Sequence, residues 1–174
     1  MDLESRLKRI IRDVPDFPKK GIIFKDITPL LADREAFEST VNALAAPYSD
    51  ARVDLVAAVE SRGFIFGSAV AGRLKAGFIP VRKPGKLPAE AIRESYDLEY
   101  GTDSLEMHVD AISPGQKVLL VDDLLATGGT ARAAANLVRK VGGELLGVSF
   151  VIELSFLDGR SKLEGIDVKS LVRY

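Results

Sequence analysis

The chain has 174 residues, of which 47% are hydrophobic and 28% charged. This length and composition predict one globular domain that buries a sizeable core. The formal net charge is -1, from 24 basic and 25 acidic side chains, so no global positive field attracts nucleic acid or an anionic membrane surface.

The rare residue types exclude several kinds of site. The absence of cysteine excludes disulfides, thiol catalysis and cysteine-type zinc sites. A single histidine, His108, excludes a multi-histidine metal site, and we expect it to be structural or exposed. No apolar run approaches the roughly 18 residues needed to cross a bilayer, and residues 1–6 lack the apolar segment of a secretory signal. We therefore expect a cytoplasmic protein without membrane or nucleic-acid partners.

Helical and extended patterns alternate along the chain. Apolar spacing predicts a first helix over residues 2–12, which Pro15 and Pro18 would end, and Asp33 predicts the cap of a second helix. Further helices are predicted over about 62–75 and 131–141, a helical turn near 159–163, and strands near 55–59, 78–82, 104–109, 118–121, 145–153 and 168–172. This alternation predicts an α/β fold with a central, mainly parallel sheet flanked by helices.

Residues 118–130 carry the clearest functional signal. Four apolar residues predict a strand buried on both faces, and the carboxylates Asp122 and Asp123 follow it. A turn rich in glycine and threonine then leads into the helical pattern. Its backbone N–H groups and the helix N-terminus are suited to hold a phosphate. Thr130 follows Gly129 at the position where a nucleotide P-loop needs lysine. The segment is therefore a phosphate-binding motif of a different kind from the P-loop.

This segment resembles the motif that binds 5-phospho-α-D-ribose 1-diphosphate (PRPP) in the type I phosphoribosyltransferases. The form of residues 122–130 resembles the adenine-specific members of that family. The likeness runs from about Asp16 to Tyr174, with the family's four loops in order. It implies a single phosphoribosyltransferase domain over residues 1–174 with a small hood over the active site. Residues 1–30 would hold the first helix and the base-recognition segment, and residues 83–108 a flexible catalytic loop.

The resemblance assigns roles within the motif. Asp122 and Asp123 would bind the ribose hydroxyls and stabilise a cationic transition state. Neighbours on a regular strand point to opposite faces, so we expect the strand to bend there. Five residues would hold the 5′-phosphate: Ala126, Thr127, Gly128, Gly129 and Thr130. Mg²⁺ would be chelated mainly by PRPP, and no residue of the chain is assigned as a direct metal ligand.

The resemblance also implies a diphosphate site near a second strand end. Its six residues would be Glu60, Ser61, Arg62, Arg82, Lys83 and Lys86. The Glu60–Ser61 peptide would be cis, and the planar fork of Arg62 suits a diphosphate. In relatives one cation at the position of Arg82 or Lys86 reaches the neighbouring subunit's site, which implies a homodimer.

Two further segments match the family's base site and hood. Ile23, Phe24, Lys25 and Leu124 would bind adenine, with Phe24 stacking on the purine. Lys25 could contact the base through its backbone or through its side chain. The predicted preference for adenine is less secure if the side chain makes the contact. Glu99 and Tyr100 match the acid and the aromatic cover of the hood, which excludes water from the reaction.

The implied reaction is adenine plus PRPP giving AMP and diphosphate, a step of purine salvage. One alternative is transfer to hypoxanthine, guanine or xanthine. Another is a regulatory protein that senses PRPP and binds DNA, although the near-neutral charge and the short N-terminal segment count against it.

Overall fold

The computed structural model describes residues 2–98 and 101–174. Over these residues the chain forms five α-helices and nine β-strands. The helices are α1 (Leu3–Ile10), α2 (Thr28–Ala32), α3 (Arg34–Ala45), α4 (Arg62–Leu74) and α5 (Gly129–Lys140). The strands are β1 (Arg12–Pro15), β2 (Ile23–Asp26), β3 (Leu55–Val59), β4 (Gly77–Val81), β5 (Ala91–Asp97), β6 (Thr102–His108), β7 (Lys117–Leu125), β8 (Glu144–Glu153) and β9 (Val168–Arg173). Short 3₁₀ helices cover Ala46–Tyr48, Ser155–Leu157 and Gly159–Leu163.

A five-stranded sheet in the order β4-β3-β7-β8-β9 forms the centre of the domain. All its neighbouring strands are parallel, so the carboxyl ends of β3 and β7 meet at one edge. Ligands of open α/β sheets bind beyond this edge. The predicted α/β fold with a mainly parallel sheet is confirmed.

Alternate residues along the strands of the sheet pack into two separate hydrophobic cores, one on each face. Val56 and Leu119 face a cluster with Phe66 of α4, whereas Ala57 and Leu120 face a cluster that includes α5. This follows from the two-residue period of a strand, and both faces are covered because the crossover helices lie on both sides. Within the described residues, none of the helices is long and apolar enough to cross a membrane.

The first predicted helix is shorter than expected. It ends at Ile10, and the chain then forms β1, which pairs antiparallel with β2 in a small two-stranded sheet that we call the ribbon. Neither the ribbon nor α2 is among the elements that the sequence patterns predicted. Pro29 is compatible with α2 because it lies in the first turn, where no intrahelical N–H is needed.

Residues 83–108 contain more regular structure than a flexible loop. Strands β5 and β6 form an antiparallel hairpin, paired from Ala91↔His108 to Asp97↔Thr102. Leu105 and Met107 are fully buried in the core cluster of α5, which explains why β6 is held in place. The predicted strand near 104–109 thus exists, and it has a partner strand in β5.

Strand β7 is longer than the four apolar residues predicted. It continues to Leu125 because β8 pairs with it as far as Leu125↔Glu153, while pairing with β3 stops at Ala58↔Val121. Asp122 and Asp123 therefore lie inside β7 rather than after it. They belong to the part of β7 that pairs with β8 and no longer with β3.

Candidate active site

Two adjoining cavities lie at the carboxyl edge of the sheet. One, of about 210 Å³, follows the turn between β7 and α5. The other, of about 340 Å³, lies between the end of β3 and the ribbon. Arg62, Asp122, Asp123 and Thr130 line both cavities, so the two form one cleft.

The two carboxylates meet the first residues of α4. The Arg62 Nη2 atom lies 2.7 Å from Asp123 Oδ2. A Cβ atom on Gly63 would lie 2.6 Å from Asp122 Oδ1, so only glycine leaves room for that carboxylate. The bend expected in the strand stays a prediction: β7 is paired with β8 at Asp122 and Leu124, and both carboxylates line the cleft beyond the last β3 pair.

Burial gives the carboxylate pair unusual electrostatics. It raises the pKa of Asp122 well above the usual aspartate range, and the neighbouring charge of Asp123 raises that pKa further. Burial also raises the pKa of Asp123, and the Arg62 guanidinium opposes that rise. A buried and a half-buried carboxylate beside one guanidinium favour a ligand that brings hydroxyl donors or positive charge.

The turn before α5 has the geometry of an anion site. Gly128 has φ +82°, and a side chain there would collide with the backbone of Gly159. Five turn residues line the smaller cavity: Ala126, Thr127, Gly128, Gly129 and Thr130. The first N–H groups of a helix have no intrahelical partner and attract a phosphate.

The predicted diphosphate residues fall into two groups. Glu60, Ser61, Arg62 and Lys83 line the larger cavity, and the Glu60–Ser61 peptide is cis, as expected. Glu60 Oε1 accepts from the Lys83 backbone N–H at 2.7 Å.

Arg82 and Lys86 are the second group, and within the described residues they line neither cavity. Arg82 Nε lies 3.2 Å from Glu60 Oε1, and its Nη1 donates to the Lys86 carbonyl at 3.2 Å.

Phe24 is the part of the base-recognition segment that lines the cleft. The Arg62 guanidinium carbon lies 5.0 Å from the centroid of its ring. The Phe17 ring contacts it edge-on, with centroids 5.2 Å apart. Leu124 lines the smaller cavity, and Ile23 is 57% exposed.

The Lys25 side chain points away from the cleft. It is only 9% exposed, and its Nζ lies 2.6 Å from Asp13 Oδ1 and 3.6 Å from the centroid of the Tyr174 ring. Of the two alternatives for Lys25, this arrangement favours contact with the base through the backbone.

Tyr96 links the hairpin to the phosphate turn. Its Oη lies 3.2 Å from Thr130 Oγ1, from Lys83 Nζ and from Asp103 Oδ2. Lys83 also pairs directly with Asp103, and the hydrogen bonds to Asp103 and Tyr96 raise the pKa of Lys83 against the effect of burial. Lys83 therefore stays charged beside the cleft.

The remaining residues stand in three different relations to the sequence prediction: two lie outside the described part of the chain, His108 agrees with the prediction, and two were missed. Glu99 and Tyr100 lie outside the described residues, so their roles stay predictions. His108 is structural, since its Nε2 accepts from the Ala89 backbone N–H at 3.3 Å. The sequence analysis missed Asp103 and Tyr174, because neither lies in a motif.

Comparison with known proteins identifies the family. A model of the phosphoribosyl transferase domain matches residues 30–169. The chain belongs to the phosphoribosyltransferase family. The resemblance found in residues 118–130 is thereby confirmed, and the cleft of this phosphoribosyltransferase lies where the motif placed it.

Relatives cover nearly the whole phosphoribosyltransferase chain. A protein of Maridesulfovibrio salexigens named adenine phosphoribosyltransferase is 58% identical over 167 residues, covering 96% of this chain and 98% of its own. The adenine phosphoribosyltransferase structure from Thermoanaerobacter pseudethanolicus has TM-score 0.96 at 55% identity, covering 99% of this chain and 100% of its own. That from Saccharomyces cerevisiae, in complex with an imino-altritol bisphosphate and adenine, has TM-score 0.92 at 41% identity, covering 97% and 98%.

Proposed function

We propose that this protein is an adenine phosphoribosyltransferase, which converts adenine and PRPP to AMP and diphosphate. The observation that carries the proposal is the single cleft that joins an anion-binding turn, the Asp122–Asp123 carboxylate pair with Arg62, and the aromatic ring of Phe24. These three parts match the phosphate, ribose and base of the product. Relatives named for this reaction support adenine as the base.

The cleft suggests how PRPP is oriented. The 5′-phosphate would accept hydrogen bonds from the backbone N–H groups of residues 126–130 and from the Thr130 hydroxyl. Asp122 and Asp123 would accept hydrogen bonds from the ribose 2′- and 3′-hydroxyls. The diphosphate would then face Arg62 and Lys83, whose charges favour its departure.

Bond breaking at the anomeric carbon would develop positive charge on the sugar. When the C1–O bond breaks, the electron pair leaves with the diphosphate, and the sugar becomes oxocarbenium-like. The charges of Asp122 and Asp123 stabilise that cation at the position where it forms. The N9 atom of adenine, held against Phe24, forms the new bond to C1 and the purine loses one proton. Glu99 is proposed to assist that proton transfer.

The residues of the cleft fit a magnesium ion carried by the substrate. Among the described residues, no group of three acidic or histidine side chains could hold a metal alone. Asp122, Asp123 and Glu60 are the carboxylates that line the described cleft and would contact Mg²⁺ or its waters, and the substrate phosphates would supply further ligands. Bound Mg²⁺ would supply positive charge to the leaving diphosphate.

The proposed function also includes an assembly and a location: the protein would form a homodimer and act in the cytoplasm.

The proposal is tested by a panel of bases. The purified protein is mixed with PRPP, Mg²⁺ and adenine, hypoxanthine, guanine or xanthine, and nucleotide and diphosphate are measured. We expect AMP from adenine alone. Product from another base would move the specificity away from adenine. PRPP binding without product from any base would favour a PRPP-sensing protein.

A further inference from the structure

The ribbon that presents Phe24 to the cleft depends on outside contacts. It consists of two strands of four residues, in which Asp13 pairs with Lys25 and Val14 with Phe24. An isolated two-stranded ribbon is marginally stable in water at best. The position of Phe24 therefore depends on what fixes the ribbon to the rest of the domain.

Lys25 provides one such fixed point. Its buried ammonium lies 3.6 Å from the centroid of the Tyr174 ring, with Asp13 Oδ1 at 2.6 Å as its counter-ion. A cation over an aromatic face is attracted by the ring quadrupole, most strongly when it is desolvated. Lys8 of α1 approaches the same ring at 5.6 Å, so Tyr174 gathers ammonium groups from two elements.

Tyr174 is itself fixed to the central sheet. Its backbone N–H donates to the Glu153 carbonyl at 3.0 Å, and its carbonyl accepts from the Ser155 N–H at 2.9 Å. Glu153 is the last residue of β8, the strand that pairs with β7, and Ser155 lies two residues beyond it. A continuous set of contacts thus runs from the strand of the carboxylates to Tyr174, Lys25 and Phe24.

The ring of Tyr174, rather than its hydroxyl, makes the contact with Lys25. The hydroxyl oxygen is buried and has no hydrogen-bond partner within residues 2–98 and 101–174. Burial, followed by the charges of Asp13 and Glu4, raises the pKa of Tyr174. The phenol therefore stays neutral near pH 7 and offers Lys25 only its aromatic face.

We propose that Tyr174 is a positioning residue for the purine base, which acts by holding Lys25 and hence Phe24 in the geometry that accepts adenine. The inference rests on the proposed function and adds to it a residue outside every family loop that the sequence shows. It requires that loss of the ring weakens adenine binding and leaves the PRPP side of the cleft intact.

The test compares Tyr174→Leu with Tyr174→Phe. If the leucine variant lowers the competent arrangement of the ribbon to about a tenth of the population, the KM for adenine rises roughly tenfold. The KM for PRPP and kcat should change by less than about twofold, because the carboxylates and the phosphate turn are untouched. The phenylalanine variant keeps the ring and should behave as the wild type.

Two controls separate positioning from general destabilisation. Tyr48→Leu removes another buried tyrosine, whose hydroxyl lies beside Gly147, and should leave the adenine KM unchanged. Lys25→Met keeps the aliphatic chain and removes the charge. It should raise the adenine KM as Tyr174→Leu does, and the double variant should add little.

Hydrogen exchange provides a readout that does not need activity. Amides of residues 12–26 should exchange faster in Tyr174→Leu than in Tyr174→Phe. An unchanged adenine KM together with unchanged exchange would overturn the inference, and so would an equal effect of Tyr48→Leu. A wild type that does not convert adenine would overturn the proposed function instead, and the exchange comparison would then decide the role of Tyr174.

Discussion

At the scale of single residues, the charge of Asp123 is central to the proposed chemistry. Asp123→Asn keeps the size of the side chain and removes the charge that would stabilise the cationic sugar. We expect kcat to fall by about a hundredfold, a typical loss for one electrostatic group of an active site. The KM for PRPP should rise by less than about threefold, because ground-state contacts are largely kept. Steady-state kinetics with both substrates varied measures the two effects.

The pH profile of the same variant provides a second comparison. Burial and the Asp123 charge raise the pKa of Asp122, so protonation begins above the usual aspartate range. Removing that charge lowers the pKa of Asp122, and the acid limb of kcat/KM for PRPP should move to lower pH. Asp50→Asn, at an exposed position, is the control and should match the wild type. A higher KM with unchanged kcat in Asp123→Asn would contradict the proposed role.

Residues within a contiguous motif could be predicted because their contacts are local. Strand, turn and helix follow one another over residues 118–130, so the sequence order alone brings Asp122 and Thr130 to one cleft. Lys25 shows the limit of this reasoning. The direction of its side chain depends on Asp13 and on Tyr174, which is 149 positions away (174 − 25), and no local pattern encodes that contact.

At the scale of elements, the buried parallel strands were predicted well and the small antiparallel sheets poorly. Strands β3, β7 and β8 contain continuous runs of apolar residues, and such runs in a sequence directly indicate buried strands. The ribbon and the hairpin are mixed in polarity, because only some of their residues face the core: Leu105 is fully buried, whereas Ser95 lies on the open side. Their pairing depends on contacts between segments, which composition alone does not reveal.

The hairpin is expected to support PRPP binding through Tyr96. The Tyr96 hydroxyl oxygen lies 3.2 Å from Thr130 Oγ1 in the phosphate turn, and it lies 3.2 Å from both Lys83 Nζ and Asp103 Oδ2. Tyr96→Phe removes these hydrogen bonds and keeps the ring against Gly129. With a net value of about 0.5–1.5 kcal/mol for a hydrogen bond, the KM for PRPP should rise about two- to thirteenfold. The KM for adenine should stay the same.

Ser95→Ala is the matched control for this prediction. Its hydroxyl bonds to Ser104 at 2.9 Å within the hairpin and lies on the exposed side. If Ser95→Ala and Tyr96→Phe raised the PRPP KM equally, the effect would come from the hairpin's own stability, and the link to the phosphate turn would be refuted. Isothermal titration with PRPP alone checks the same difference without turnover.

At the scale of the whole molecule, the parallel sheet brings the functional parts together. The carboxyl ends of β3 and β7 supply the Glu60–Ser61 loop and the phosphate turn, and both line the cleft that Phe24 of the ribbon also lines. This placement follows from the βαβ connections, so it could be predicted once the strands were recognised. Of the predicted diphosphate residues, Arg82 and Lys86 lie outside the cleft of the described chain, and Arg82 is paired with Glu60.

The position of Arg82 leads to a prediction about assembly. Because Arg82 lines neither cavity of its own chain within the described residues, we expect it to serve the partner's site in a homodimer. Arg82→Ala and Asp122→Ala should each be inactive alone. After equal mixing and subunit exchange, activity should return to about a quarter of the wild type, since half of the dimers are mixed and each holds one complete site. Mixing Asp122→Ala with Asp123→Asn should restore nothing, because both defects then lie in the same kind of site. No recovery in the first mixture, with dimers shown by light scattering, would place the action of Arg82 in its own chain.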